Sequence, residues 1–508
     1  MLWNKFNSNK NNKSRISNSL NENIDKIREI FKEDKTLVCR FLQKNNTKFC
    51  IVYINGLVKE DSITSDVISK ILYSDFITND NDLAEQLTKT ILSSLSIELS
   101  SDFEYVINSI LNGKSSLFID GEGKSILIDA RGFSTRSIDE PASETIVRGP
   151  REGFNESIIT NLSLIRRRIP HPDLKFIFKE VGKYTKTNIC IAYISSISSE
   201  GILQEVLKRL DAIEIDSILD SGYISELICD HPFSTFQTIG YTERPDVVCS
   251  KILEGRIAII VDGSPFALTL PYLLIEAFQS NEDYYSSWLF ASFNRLIRIL
   301  GFFLSTTIPS LFIALSNYHQ ELLPTPLLLS IAAAREGVPF PTVIEAFGMI
   351  FVFEILREAG TRLPKPVGQA VSIVGVLVIG EAAVSARFIS APMVIITALT
   401  GITEFLIPQL TTSIIAYRFI ILFFTAFLGF YGTMFGLFTM FIQLFSMKSF
   451  GVPYTLHAVS IDFQNIKDTA IRVPWWAMKL RPILIGAKNK VRNTSINPMK
   501  GKDNGEVS

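Results

Sequence analysis

The sequence predicts an α/β soluble front of two similar subdomains, followed by an all-α polytopic membrane domain and a short basic tail. Three observations carry this. Strand and helix patterns in the first 271 residues recur at an offset of about 140. Apolar runs dominate Leu296 to Met447, where only seven Lys or Arg occur. Basic residues then return at Lys479, Arg481, Lys488, Lys490, Arg492, Lys500 and Lys502.

A chain of 508 residues is too long for one compact domain, and two or three units are expected. The net charge of −1 argues against nucleic-acid binding and offers no strong field for steering a charged partner. The five cysteines (Cys39, Cys50, Cys190, Cys229 and Cys249) all lie in the front half without CxxC spacing. They read as reduced thiols, mostly buried in strands or helices. His171 and His231 each precede a proline, His319 lies between membrane segments and His457 in the tail. No metal-ligand or Ser/His/Asp spacing emerges, so the reading is a non-enzyme with no cofactor.

Residues 1–21 are basic, rich in Asn and lack an apolar signal region. They are expected to be a disordered cytoplasmic tail with a weak attraction for anionic membrane lipid. Residues 22–140 form the first subdomain. The amphipathic run Asn23 to Lys32 precedes LVCRFL and KFCIVYI, two strand-like runs. ITSDVISKIL and DFEYVINSIL have helical spacing. Two alternating strands then flank Asp120-Gly121-Glu122-Gly123, a hairpin signal.

Residues 141–172 read as a linker followed by a helix starting near Asn155 and stopped by Pro170 and Pro172. Arg166, Arg167 and Arg168 suit its C-terminus. The Gly149–Gly153 turn lacks the Lys-Ser/Thr pair of a phosphate loop, which rejects nucleotide binding there. Arg148, Gly153, Asn155, Glu156, Arg166, Arg167 and Arg168 are the candidate segment for coupling the soluble and membrane halves. Residues 173–271 repeat the first subdomain: TKFCIVYI matches TNICIAYI, Tyr53 falls on Tyr193, and Asp120-Gly121 falls on Asp262-Gly263.

Residues 272–294 read as a juxtamembrane helix, with Tyr284, Tyr285 and Trp288 at the interface and Arg295 and Arg298 on the cytoplasmic side. The membrane domain is 295–447. Ile297 to Ser316 is long enough to cross. TPLLLSIAAA is too short and reads as re-entrant. Pro339 to Leu356, Gln369 to Ala386 and Pro392 to Leu410 follow. Ser413 to Phe445 is 33 residues, too long for one plain span, so Gly429 and Gly432 bend it or part of it lies in the interface. The tail, 448–508, is cytoplasmic by the positive-inside rule. Both ends inside requires an even number of crossings, four with one or two short embedded helices, or six.

Buried acids are the sharpest functional hint. A carboxylate at a helix centre costs roughly 2.5–3.5 kcal/mol on insertion scales. Glu345 and Glu354, nine apart, face opposite sides of a helix, and Glu354 lies within a turn of Arg357. Thr397, Thr400 and Glu404 make one polar stripe, either a pore wall or an interhelix hydrogen-bond seam. Glu381 and Val384 lie on a helix rich in small residues. A pathway built from these segments needs several protomers, hence a homo-oligomer. A secondary transporter is the competing class, but the internal repeat is confined to the soluble half.

RGPREGFNESIITNLSLIRRRI, VDGSPFALTLP and REGVPFPTVIEAFGMIFVFEILREAGTRLPKPVGQAVSIVGVLVIGEAAV resemble the GerA family, the A subunits of bacterial spore germinant receptors. The resemblance runs from about Leu37 to Arg492. It implies a place in the spore inner membrane, with both termini on the core side. It also implies a permease-like B subunit and a lipoprotein C subunit as partners, and a ring of A subunits forming a nutrient-gated ion channel. A non-receptor paralogue of the same family, linked to dipicolinate release, is the alternative.

Overall fold

The computed structural model describes residues 15–45, 47–73, 83–88, 96–132, 141, 144, 146–362, 380–456, 468–478, 480–481, 488–489 and 491–492. The first subdomain begins with helix α1 (Leu20–Ile30) and hairpin β1 (Leu37–Lys44)–β2 (Thr47–Ile54). Then come β3 (Ile97–Ser100), α2 (Phe103–Leu111), β4 (Ser115–Ile119) and β5 (Ser125–Ile128). The second contains α3 (Ile158–Arg168), β6 (Leu174–Val181), β7 (Thr187–Ile194), α4 (Glu200–Asp211) and α5 (Ser221–Ile228). It closes with β8 (Gly240–Thr242), α6 (Pro245–Leu253), β9 (Ile257–Val261) and β10 (Ala267–Leu270).

The sheets have the orders β1-β2-β4-β5-β3 and β6-β7-β9-β10-β8, so the duplication read from sequence is a duplication of topology. Strand alternation divides each core in two. Cys50, Val52 and Ile54 of β2 pack under α1 and α2, whereas Phe49, Ile51 and Tyr53 pack on the opposite face. In the second copy Cys190, Ala192 and Ile194 meet α3 and α6, and Ile189, Ile191 and Tyr193 meet α4 and α5. Each fully buried Ile, Val or Leu in these layers contributes roughly 1.5–3 kcal/mol.

The boundaries differ from the expectation at two places. Residues 15–21 are not a disordered tail: Arg15 bridges to Asp102, Ile16 is buried and Leu20 opens α1. And α3 is not a separate linker helix but the counterpart of α1. The Asn23 amide donates to the Ser17 carbonyl at 2.6 Å while the Ser17 N–H donates to Asn23 Oδ1 at 2.9 Å. Asn161 and Asn155 repeat that pair at the same distances. The first amides of both helices, Leu20 and Ile158, donate to Asp120 and Asp262 at 3.1 Å each. Those aspartates precede Gly121 and Gly263, whose φ of +92° and +83° turn the hairpin so that the carboxylate meets the helix N-terminus.

The 272–294 stretch is also not one helix. It forms two 3₁₀ turns, Leu274–Phe278 and Asn281–Tyr284. The Ser280 hydroxyl accepts from the Glu282 N–H, and the Asp283 carboxylate from the Ser280 N–H, so local side-chain bonds close the second turn. The long helix α7 (Trp288–Ile313) starts after it and continues as a wider turn to Tyr318.

Beyond α7 come α8 (Thr325–Arg335), α9 (Thr342–Arg362), α10 (Ala391–Glu404), α11 (Thr411–Leu428) and α12 (Phe430–Ser446). Among the described residues, two helical stretches are long and apolar enough to cross a bilayer, Trp288–Tyr318 and Pro408–Leu428. The 11 residues of α8 are too few. Most of the expected Gln369 to Ala386 segment lies outside the described residues, as does Lys365; 380–385 is helical. The 33-residue run breaks at Gly429, where φ is +60°, into the antiparallel hairpin α11–α12. A Cβ on Gly432 would stand 2.1 Å from the Phe424 carbonyl oxygen, and one on Gly436 2.8 Å from Ile421. These glycines let the two backbones touch.

The described parts of the tail lie against the soluble half. Strands β11 (Lys448–Ser449) and β12 (Val452–Pro453) pair, and the Ser449 hydroxyl donates to the Thr238 carbonyl at 2.6 Å. Lys488 meets Glu200 at 3.3 Å and Arg492 meets Glu254 at 3.7 Å.

Candidate functional site

The sequence-predicted acids sort into three places. Glu345, in the first turn of α9, is buried. Its Oε2 accepts from the Ser390 N–H at 2.9 Å and the Ser390 hydroxyl at 2.8 Å, which caps the start of α10. Arg335 stands 3.8 Å from its other oxygen.

Glu354 and Glu404 meet in a second place, with two arginines. Arg418, fully buried on α11, donates to Glu404 Oε2 at 2.5 Å and to Glu354 Oε1 at 2.8 Å. Its Nε donates to the Ser305 carbonyl of α7 at 2.8 Å. Arg357 donates to Glu354 Oε2 at 2.8 Å and lies 3.8 Å from Glu404 Oε1. Two carboxylates and two guanidiniums form a neutral quartet that ties α7, α9, α10 and α11 together. Charges held in apolar surroundings survive when paired and hydrogen-bonded in this way.

Thr397 and Thr400 extend the Glu404 face of α10, and all three are buried. Thr397 donates to the Met393 carbonyl at 2.9 Å and Thr400 to the Ile396 carbonyl at 2.7 Å. Both hydroxyls thus bond carbonyls four residues back on α10 itself, while Glu404 reaches Arg418 of α11. Glu381 stands apart. It is exposed on the 380–385 helix, and among the described residues it has no ion pair; Val384, one turn on, is half-buried.

The candidate coupling segment divides too. Arg166 is buried and pairs with Asp34 of the first subdomain. It also donates to the His171 carbonyl at 3.0 Å and stacks 4.7 Å from the Phe176 ring. So it joins the two subdomains, beyond its fit to a helix C-terminus. Glu33, at φ +68°, turns the backbone beside Asp34, and its carboxylate accepts from Tyr193 at 2.8 Å. Arg167 and Arg168 both reach Glu152, at 3.8 and 2.6 Å. Asn155 supplies the turn described above, and the Glu156 carbonyl accepts from the Gly263 N–H at 2.8 Å. Gly153 is buried beside Phe154, whose N–H donates to the Glu243 carbonyl at 2.7 Å. Arg148 is exposed, but its neighbour Gly149, at φ +144°, lies so close to Tyr285 that a Cβ would come within 2.8 Å of the ring.

Tyr285 leads into the junction with the apolar helices, where the sequence pointed to Tyr284, Tyr285, Arg295 and Arg298 but not to the acids Asp283 and Asp468. Asp283 accepts from Arg295 Nε at 3.0 Å and from Arg298 at 2.8 Å. Asp468 of the tail accepts from Arg295 at 2.8 Å and from the Tyr284 hydroxyl at 2.8 Å. Burial raises the Asp468 carboxyl, with Arg295 and Tyr284 pulling the other way. A cavity of about 540 Å³ opens beside this cluster, between Tyr285 and Arg298 on one side and Phe405 and Gln409 on the other.

Residues 25–484 match the family model described as Bacillus/Clostridium GerA spore germination protein. Spore germination protein KA of Bacillus subtilis (strain 168) is 44% identical over 482 residues, covering 94% of this chain and 88% of that protein. The uncharacterized membrane protein YfkQ of the same organism is 41% identical over 471 residues, covering 92% and 91%. The crystal structure of the N-terminal domain of the A subunit of the Bacillus megaterium spore germinant receptor GerK3 is 33% identical, with a TM-score of 0.42, covering 52% of this chain and 98% of that one. With a match that takes in both soluble repeats and the helices of the charged quartet, the chain belongs to the GerA family of spore germination proteins.

Proposed function

We propose that this protein is the membrane-embedded A subunit of a nutrient germinant receptor and assembles as a ring that gates an ion path. It sits in the spore inner membrane with both termini on the core side. A permease-like B subunit takes the nutrient, and a lipoprotein C subunit completes the receptor. Family membership supports the receptor role.

The observation that carries the path is Glu381. Glu345, Glu354 and Glu404 are neutralised inside the chain, whereas Glu381 lies exposed and without an ion pair among the described residues. A carboxylate in an apolar segment needs water or a partner, and a ring of copies around an aqueous axis supplies both. The test is cation flux through the reconstituted protein, with Glu381→Gln, Val384→Ala and Glu404→Gln compared singly. Glu381→Gln and Val384→Ala are expected to change conductance or gating. If neither does, in protein that still assembles, the path does not run past this helix.

A further inference from the structure

The 231–238 loop, between α5 and β8, is bonded to the ends of two membrane helices. The Ser413 hydroxyl of α11 donates to the Thr235 carbonyl at 2.7 Å. The Gln443 amide of α12 donates to the Ser234 hydroxyl at 3.0 Å, and the Lys448 N–H donates to His231 Nε2 at 3.2 Å. Phe236 is buried, its ring centroid 5.5 Å from that of Tyr417. The loop is therefore held at a fixed height. Ser413 and Gln443 lie two and three residues inside their helix ends, or about 3–5 Å at the α-helical rise.

In this fixed loop Phe233 points outward with its whole side chain exposed, 101% of its free value. Phe438, Ile442 and Phe445 are likewise exposed along the last turns of α12, and Lys448 is exposed just beyond them. Phe233 adjoins Ser234 and Thr235, which are bonded a few ångströms inside the ends of α11 and α12, and an exposed aromatic ring at that level with a cation beyond it suits the acyl–headgroup boundary. We propose that Phe233 seats in the cytoplasmic leaflet and anchors the second soluble subdomain directly to lipid. The proposal rests on the functional reading, with α11 crossing the membrane and the 17-residue α12 running back along it.

Full-length protein carrying Phe233→Trp, in nanodiscs of phosphatidylethanolamine and phosphatidylglycerol, tests it. The extra emission over the unmodified chain, which has four tryptophans of its own, is compared in lipids brominated near the headgroup and near the chain end. Seating at the boundary predicts about a twofold loss with the shallow bromines and little with the deep ones. Unchanged extra emission, with the native tryptophans quenched, overturns the anchor and leaves the membrane reading standing. Failure of the chain to enter the discs overturns both. Extra emission shielded from all bromines, and exposed only when detergent reduces the particle to one copy, assigns Phe233 to a neighbouring copy and overturns the lipid anchor.

Discussion

Arg418 and Glu404 meet at 2.5 Å with both side chains cut off from solvent. The contact joins α11 to α10, and the same guanidinium holds Glu354 of α9. Arg418→Met should destabilise the protein by about 3–5 kcal/mol, because it leaves Glu404 facing only Arg357. Glu404→Gln should cost less, since Arg418 keeps Glu354 and the Ser305 carbonyl. Thermal unfolding of the detergent-solubilised variants checks the ranking. Equal losses would mean that Arg418 does not organise the quartet.

The hairpin α11–α12 predicts a sharp contrast between glycines. At Gly432 an added methyl meets the Phe424 carbonyl oxygen at 2.1 Å, whereas at Gly348 it meets nothing within 4 Å. Gly432→Ala should therefore lower membrane yield and thermal stability, by about 1–3 kcal/mol or more for an overpacked site. Gly348→Ala should be neutral or slightly stabilising. Matching effects at the two sites would show that the close approach is absent.

Much of this architecture was legible in the sequence. The β-branched and aromatic run KFCIVYI and its repeat TNICIAYI gave the interior strands β2 and β7, and a run too long for one plain span pointed to a bend at Gly429 and Gly432 or to an interfacial part, of which the structure shows the break at Gly429. The true start of the repeat was missed, although a signal existed. Ser19, Asn23, Ile27 and Arg28 recur as Ser157, Asn161, Ile165 and Arg166 at a constant offset of 138. The flanking basic and Pro/Gly-rich stretches hid it, because composition reports solvation and not the asparagine bonds that fix each turn. Arg418 was missed as well. A lone arginine in an apolar run marks a buried pair, but its partners, 14 and 64 residues away, depend on helix packing that no local spacing encodes.

The two soluble subdomains are locked by Arg166 and Asp34, both fully buried. Arg28 holds the equivalent place on α1 but lies over the Phe41 ring at 5.7 Å. The duplicated arginine has thus acquired an inter-subdomain role in one copy only. A double-mutant cycle of Arg166→Ala and Asp34→Ala should give a coupling energy above about 1 kcal/mol, with each single variant costing about 3–5 kcal/mol. Additive single effects would reduce the pair to a packing contact.

Glu144 should make the junction between the second subdomain and the apolar helices pH-dependent. Its Oε2 accepts from the Thr242 hydroxyl at 2.5 Å, and its backbone carbonyl accepts from Arg244 at 3.3 Å. Burial pushes its carboxyl up to about 7 from an ordinary 4.5, against the opposing pull of Thr242 and Arg244. Between those values the folded chain holds a proton that the unfolded chain releases, so stability falls as pH rises. The contribution is complete below pH 4.5 and is lost as pH passes 7. Hydrogen exchange at the Thr242 and Arg244 amides should accordingly quicken between pH 5 and 8, beyond the intrinsic rate increase with hydroxide. Glu144→Gln keeps the hydrogen-bond acceptor without the charge and should remove that excess. An excess that persists in Glu144→Gln would assign the titration to another group.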